Sequence, residues 1–250
     1  MLRSPYLVSI LVGLLALGLT ACTEDEPDPC AAADTVTLRG LAFQFGTENT
    51  PLAGARLSLA ECPALDTVTD ASGRYALAVP RGLAVTPVIE YEDFPVMHLE
   101  TFTLESDLDD VWFQTVPPLF YDIFSGMLGE EPDPERCQVS TTVNEAATLG
   151  VSLEEFLALG DHGVAGATVT IDPPVDPTHG PVYFDARTLP DRSLTETTND
   201  GGVVFANLEP GQYVLRAHHP TRTFREIHVT CVAGRFINAG PPFGLHEITP

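Results

Sequence analysis

The stretch Thr69-Asp70-Ala71-Ser72-Gly73-Arg74-Tyr75-Ala76-Leu77-Ala78-Val79-Pro80-Arg81-Gly82 reads as a turn, a strand and a second turn. Asp-x-x-Gly is turn chemistry, because the carboxylate accepts from nearby amides and glycine takes positive φ without penalty. Tyr75, Leu77 and Val79 then alternate with Arg74, Ala76 and Ala78, the period of a strand with one face on a core and one on water. Just upstream, Ala55, Leu57 and Leu59 alternate with Arg56 and Ser58 in the same way. Helical spacing is absent from both runs, so the local structure is β.

The same grammar recurs later in the chain. Pro51-Leu52-Ala53-Gly54-Ala55 corresponds to Gly163-Val164-Ala165-Gly166-Ala167, and Thr69–Tyr75 to Thr197-Thr198-Asn199-Asp200-Gly201-Gly202-Val203. Pro80-Arg81-Gly82 corresponds to Glu209-Pro210-Gly211. Half-buried strands follow in each case: Ala167, Val169 and Ile171; Val203 and Phe205 flanking Val204; Tyr213, Leu215 and Ala217. The second copy is longer, and its additional residues fall in the Pro-rich run Asp172–Asp191 around His179. Short strands punctuated by Gly and Pro predict an all-β fold of two sandwiches in tandem. Between the copies, apolar residues at 119, 120, 123, 124, 127 and 128 have helical spacing and stop at Gly129, which predicts a short helix packed near the junction. Ser152-Leu153-Glu154-Glu155 has the form of a capping box opening a helical turn or two through Leu159.

On these residues the chain resembles the carboxypeptidase-regulatory-like domains of the transthyretin-like (prealbumin-like) group. The resemblance covers roughly residues 34–118 and 136–240. It implies two Ig-like, Greek-key sandwiches of a kind found in tandem on secreted and surface proteins, and it carries no catalytic residue. The expected division is a leader at 1–21, an acidic tether at 22–33, a first sandwich at 34–118, a short helix and linker at 119–135, and a second sandwich with its inserted loop at 136–250.

Met1-Leu2-Arg3-Ser4-Pro5 and the apolar run Tyr6–Leu19 have the form of a secretory signal peptide, one basic residue ahead of an apolar core too short to span a bilayer. The run closes on Leu19-Thr20-Ala21-Cys22, which resembles a bacterial lipobox and implies cleavage before Cys22 and lipid attachment there. Thr23 after the cysteine resembles the outer-membrane sorting pattern of enteric-type lipoproteins, so the expected address is a Gram-negative-type cell envelope, anchored by lipid.

The chain has 250 residues, 44% of them hydrophobic, enough for a core in each half. Against 35 carboxylates stand 12 basic residues, all arginine, giving a formal charge of −23. Nucleic-acid binding is excluded by that balance, since it needs a cationic face to neutralise phosphates, and so is charge-driven docking on anionic lipid. With Cys22 assigned to lipid, Cys30, Cys62, Cys137 and Cys231 form an even set in an oxidising compartment. Four cysteines allow three pairings; the two-sandwich division favours Cys30–Cys62 with Cys137–Cys231, and no Cys-x-x-Cys spacing points to metal.

Few residues point to chemistry. Tyr213, His218, His219 and His228 lie on or beside strands able to pair, and imidazoles with a phenol are iron or zinc ligands. The alternative function is therefore a mononuclear iron enzyme resembling intradiol dioxygenases on the second sandwich, with His179 of the inserted loop completing the set. Against it, Tyr213 occupies the inward register, adjacent histidines point to opposite faces, and the close His-x-His pair of those enzymes is missing. Carboxylates at Glu105–Asp110 and Asp28–Asp34 are of the type that binds calcium, but neither run matches an EF-hand loop. No Gly-x-Ser-x-Gly elbow and no His-x-x-Glu motif occurs. Trp112, in the alternating run Val111–Val116, is read as core rather than as a platform for sugar stacking. The residues imply no cofactor, and the expected function is a non-enzymatic binding or scaffolding module for a protein or carbohydrate partner.

Overall fold

The computed structural model describes residues 28–31, 33–46, 49–240 and 243–248. The leader, Cys22 and most of the tether lie outside these residues. The first half supplies β1 (Thr35–Gln44), β2 (Arg56–Leu59), β3 (Asp66–Val68), β4 (Arg74–Pro80), β5 (Ala84–Val85), β6 (Pro87–Glu90), β7 (Met97–His98), β8 (Phe102–Thr103) and β9 (Leu108–Thr115). Helix α1 (Pro118–Leu128) follows. The second half supplies β10 (Cys137–Asn144), α2 (Leu153–Leu159), β11 (Thr168–Asp172), β12 (Val182–Phe184), β13 (Pro190–Asp191) and β14 (Gly202–Leu208). It ends with β15 (Gly211–His218), β16 (Ile227–Cys231), β17 (Phe236–Ala239) and β18 (Leu245–His246).

The repeat is visible atom by atom. Thr69 Oγ1 donates to the Leu52 carbonyl and accepts from the Ala55 N–H; Thr197 Oγ1 does the same with Val164 and Ala167. Both hydroxyls are buried, so each satisfies two backbone groups that would otherwise be stranded where strand β2 or β11 enters its sandwich. The turn glycines are equivalent too. Gly73 and Gly201 have φ of 75° and 78°. A Cβ on either would stand 2.4 Å from a backbone carbonyl, that of Ala42 or of Val143. Only glycine allows that approach. The first strand of each half likewise pairs antiparallel with one strand and parallel with another: β1 with β4 and β9, β10 with β14 and β17.

In the first sandwich, sheet β4-β1-β9 packs on β3-β2-β6-β7, burying Leu38, Leu77, Val79 and Phe113 against Leu57, Leu59 and Ile89. In the second, β11-β15-β16 packs on β13-β12-β14-β10-β17, burying Val169, Leu215 and Val229 against Val139, Phe205 and Ile237. The all-β expectation holds. One strand departs from its half-buried reading: β14 is buried along its whole length. Val203 and Phe205 face the sandwich core, while Val204 and Ala206 on the other face are covered by Leu128 of α1 with Val182 and Phe184 of β12. The junction helix thus covers a face that would otherwise meet water, while the inserted segment extends the sheet beside β14 through β12 and β13.

A second feature is absent from the alternation pattern altogether. Strands β17 and β7 pair in parallel, Phe236 with Met97 and Ile237 with His98, so one ten-stranded sheet runs through both sandwiches. The seam is polar as well as apolar. Thr101 N–H donates to the His228 carbonyl, and the hydroxyls of Thr86, Thr101 and Thr230 form a chain that ends on Glu61 and Gln212. Glu100, 2% exposed, pairs with Arg225 of the other sandwich and accepts from the Gly244 N–H. Burial pushes the Glu100 carboxyl above its ordinary range, against the opposing pull of Arg225 and Gly244.

His98 sits in this seam, buried, with Nδ1 lacking a hydrogen-bond partner among the described residues. Desolvation, helped by the nearby Arg235 charge, lowers its pKa from 6.5 to about 4. The unfolded chain takes up this proton near pH 6.5 and the folded chain refuses it until about pH 4. Stability conferred by a neutral His98 is therefore complete above pH 6.5 and lost as pH falls, by roughly 3 kcal/mol once pH 4 is reached. Glu100, with its raised pKa, acts in the opposite direction on acidification, so the comparison must be differential. Urea unfolding of wild type and His98→Gln across about pH 7.5 to 4 should show the gap between them shifting toward the variant by that amount. A gap that stays constant with pH would contradict a buried neutral imidazole.

Helix α1 begins with Pro118 at its first position and ends at Gly129, whose φ of 72° and N–H bond to the Gly126 carbonyl make a left-handed cap. Its six apolar residues do not share one face. Phe120 and Phe124 pack inward and Leu128 is buried, whereas Leu119, Ile123 and Met127 point to solvent at 68%, 43% and 41% exposure. Helix α2 has the expected capping box: Ser152 Oγ accepts from the Glu155 N–H and the Glu155 carboxylate accepts from the Ser152 N–H. That helix directs Phe156 across the boundary onto Phe43 and Trp112 of the first sandwich.

Candidate functional site

The residues with ligand chemistry are not brought together. Tyr213 points into the second core, opposite Val229, and its hydroxyl donates to the Glu209 carbonyl at 2.9 Å. His228 lies opposite Val214 on the outward register, exposed beside Glu226. His218 meets Thr170 Oγ1 at 2.9 Å, and His219 accepts from the Thr221 N–H. His179 of the inserted loop approaches Glu130 at the junction rather than Tyr213. The pleat turns Tyr213 to the opposite side of the sheet from His218 and His228, and the register, with Val214 opposite His228, sets His218 four positions further along β15. Among the described residues no group of three or more His, Cys, Asp or Glu is placed to hold a metal ion. The acidic run of the first sandwich is spent on arginine, Asp107 and Asp109 both pairing with Arg39. Trp112 is 2% exposed, so it offers no platform for a sugar.

The cysteines pair as the two-sandwich division favours, Cys30 with Cys62 and Cys137 with Cys231. The second bond joins the start of β10 to the end of β16 and so clamps the two sheets of that sandwich together at one end.

A cavity of about 210 Å³ lies beneath α1, on the outer face of the second sandwich. Its floor is polar: Gln138, Ser140 and Thr142 of β10, Asn238 of β17 and Gly202 of β14. Its roof is apolar, with Phe124 and Leu128 of α1 joined by Phe45, Phe184 and Phe236. At one end stand His162, Asp200 and Thr188, beside Phe156 of α2. Asp200 Oδ1 accepts from the Gly202 N–H at 3.0 Å and Oδ2 from Thr188 Oγ1 at 2.8 Å. Burial pushes the Asp200 carboxyl up, and burial pushes the His162 imidazole down against the opposing Asp200 and Asp161 charges. The His162 ring packs tilted against Phe156 with centroids 4.2 Å apart, and its Nδ1 lies 3.3 Å from Asn144 Oδ1. Tyr121, also lining the cavity, has its phenol pushed up to about 12 by burial and by the Asp122 charge.

These residues come from separate segments of both halves, which is why sequence reading passes over them. Asp200 registers there only as turn chemistry, and His162 sits in a connecting segment without periodicity. The one available signal is α1 itself, whose second apolar stripe has to be covered or exposed.

No protein-family model matches the chain, and no curated protein matches it. Among solved structures, matches include a type II cohesin–X-dockerin complex from Acetivibrio cellulolyticus, at 13% identity over 31% of this chain and 52% of that one, TM-score 0.28. The TIE protein of Bacillus anthracis matches at 13% identity over 86% of this chain and 34% of its own length, TM-score 0.25. A minor pilin of Streptococcus agalactiae matches at 11% identity over 86% of this chain and 97% of its own, TM-score 0.26. The chain thus spans about half of the first of these structures and a third of the second.

Proposed function

We propose that this is a lipid-anchored cell-envelope protein, held at Cys22, whose two transthyretin-like sandwiches act together as a rigid, non-enzymatic binding or scaffolding module. The observation that carries the binding role is the outward stripe of α1. Leu119, Ile123 and Met127 recur one turn apart on an exposed helix face, and contiguous exposed apolar surface on a folded protein marks an interaction site. Two disulfides support an oxidising compartment, and they leave Cys22 as the cysteine outside the pairs. Among the described residues no helix is long and apolar enough to cross a membrane; in this reading acyl chains on Cys22 supply the attachment. Each buried methylene contributes about 0.8 kcal/mol, and two or more chains hold a protein stably.

The reading predicts that Cys22→Ser abolishes labelling by a fatty-acid analogue and moves the protein out of the membrane fraction. Continued labelling and sedimentation of that variant would refute the anchor. For the binding role, crosslinking in intact envelopes should capture a partner with wild type and lose it with Leu119→Glu/Ile123→Glu. An identical crosslinking pattern in both proteins would remove α1 from the interface.

A further inference from the structure

We propose that the cavity beneath α1 binds a small organic cation, an ammonium group on an aromatic or aliphatic body, with the ammonium at Asp200 and the body among the rings of Phe124, Phe156, Phe184 and Phe236. The inference is independent of the anchor and of the helix stripe, since the cavity lies on the inner side of α1.

Size comes first. About 210 Å³ exceeds the ~150 Å³ of an apolar protein cavity known to take up benzene, so a single ring with a short side chain fits. Charge decides the class. Among the described residues no arginine lines the cavity, and the chain contains no lysine. His162 is held toward its neutral form by burial. Asp200 is satisfied only by neutral donors, the Gly202 N–H and the Thr188 hydroxyl, and makes no ion pair among the described residues. The cavity therefore presents one carboxylate with no counter-charge. An anionic ligand would be repelled, and a neutral one would leave that charge uncompensated in a largely apolar space.

The carboxylate and the rings are also adjacent. A Cβ placed on Gly202 would stand 2.5 Å from Asp200 Oδ1 and 2.9 Å from the Phe184 ring, so both border the same small volume. Phe184 in turn meets Phe124 edge-on, centroids 6.2 Å apart. Ring faces beside a carboxylate are the surroundings an organic ammonium favours, through cation–π attraction together with direct charge pairing. Glycine at 202 lets the Asp200 carboxylate and the Phe184 ring approach this closely, since a Cβ there would clash with both.

The test uses the full disulfide-bonded chain and three probes of one shape: 2-(4-fluorophenyl)ethylamine, 2-(4-fluorophenyl)ethanol and 4-fluorophenylacetate, followed by fluorine NMR. The amine should bind saturably and about tenfold or more tighter than the alcohol, a difference of roughly 1.4 kcal/mol, and the acid should show no saturable binding. Asp200→Asn keeps both hydrogen bonds, with the amide oxygen accepting from Gly202 and the amide nitrogen donating to Thr188; it should reduce the amine to the level of the alcohol. Ser140→Phe, which fills the floor, should abolish binding of both. Alcohol binding as tight as amine binding in wild type would overturn the charge assignment. Undiminished amine binding to a folded Ser140→Phe protein, or no saturable binding of any probe, would overturn the site. The comparison of probes in wild type decides the matter even where a variant fails to fold.

Discussion

Replacing Cys137 and Cys231 together by alanine should lower the unfolding free energy by about 4–5 kcal/mol, more than the same change at Cys30 and Cys62, which should cost about 3–4 kcal/mol. The difference is one of loop length. Cys137–Cys231 closes a separation of 94 residues and Cys30–Cys62 one of 32, and the entropy removed from the unfolded chain grows with the logarithm of that length. Location adds to it. Cys137 and Cys231 are both fully enclosed, at 0% and 3% exposure, and Cys231 closely precedes β17, the strand whose free edge takes β7 of the first sandwich. Loss of that bond should loosen the seam as well as the second core. Guanidinium unfolding of the two double variants measures the order directly. A larger loss at Cys30/Cys62 would contradict the assignment. Reductant alone should open the partly exposed Cys30–Cys62 bond first and leave Cys137–Cys231 intact until denaturant is added.

The second large effect is expected at Trp112. Trp112→Ala should cost about 3–5 kcal/mol, the range for deleting a fully buried aromatic side chain. The ring lies 5.9 Å from Phe43 and 5.1 Å from Phe156, centroid to centroid, and Nε1 donates to the Val151 carbonyl at 3.2 Å. Phe156 and Val151 belong to the other sandwich, so the alanine variant removes contacts on both sides of the boundary and leaves the Val151 carbonyl short of its donor. Thermal unfolding followed by circular dichroism gives the loss. Because Trp112 is the chain's one tryptophan, its emission in the Phe156→Ala protein reports whether α2 covers it; a red shift is expected. A Trp112→Ala protein within about 1 kcal/mol of wild type would show that the contact between α2 and β9 adds little to stability.

Features governed by short-range chemistry are legible in the order of residues alone. Tyr75, Leu77 and Val79 alternate because a strand has period two, and they face one core for that reason. Thr69 with Gly73, and Thr197 with Gly201, recur because a buried threonine and a positive-φ glycine are what each strand entry needs. Ser152 and Glu155 cap α2 within one turn, so their relation is local, and the spacing of four cysteines over two copies is enough to favour the observed pairs. The position of one sandwich against the other is of another kind. Met97–His98 is too short to register as a strand, and it becomes one only because β17 offers an open edge alongside it. The apolar residues of α1 carry helical spacing in full, yet nothing local says that Phe124 and Leu128 turn inward while Ile123 and Met127 face water. Asp200 and His162 likewise look like a turn and a connector until β14, α1 and α2 close around them. Burial, and with it the titration of His98, Glu100 and Asp200, depends on which distant surfaces meet, and that is settled by packing between segments rather than by the order of residues within any one of them.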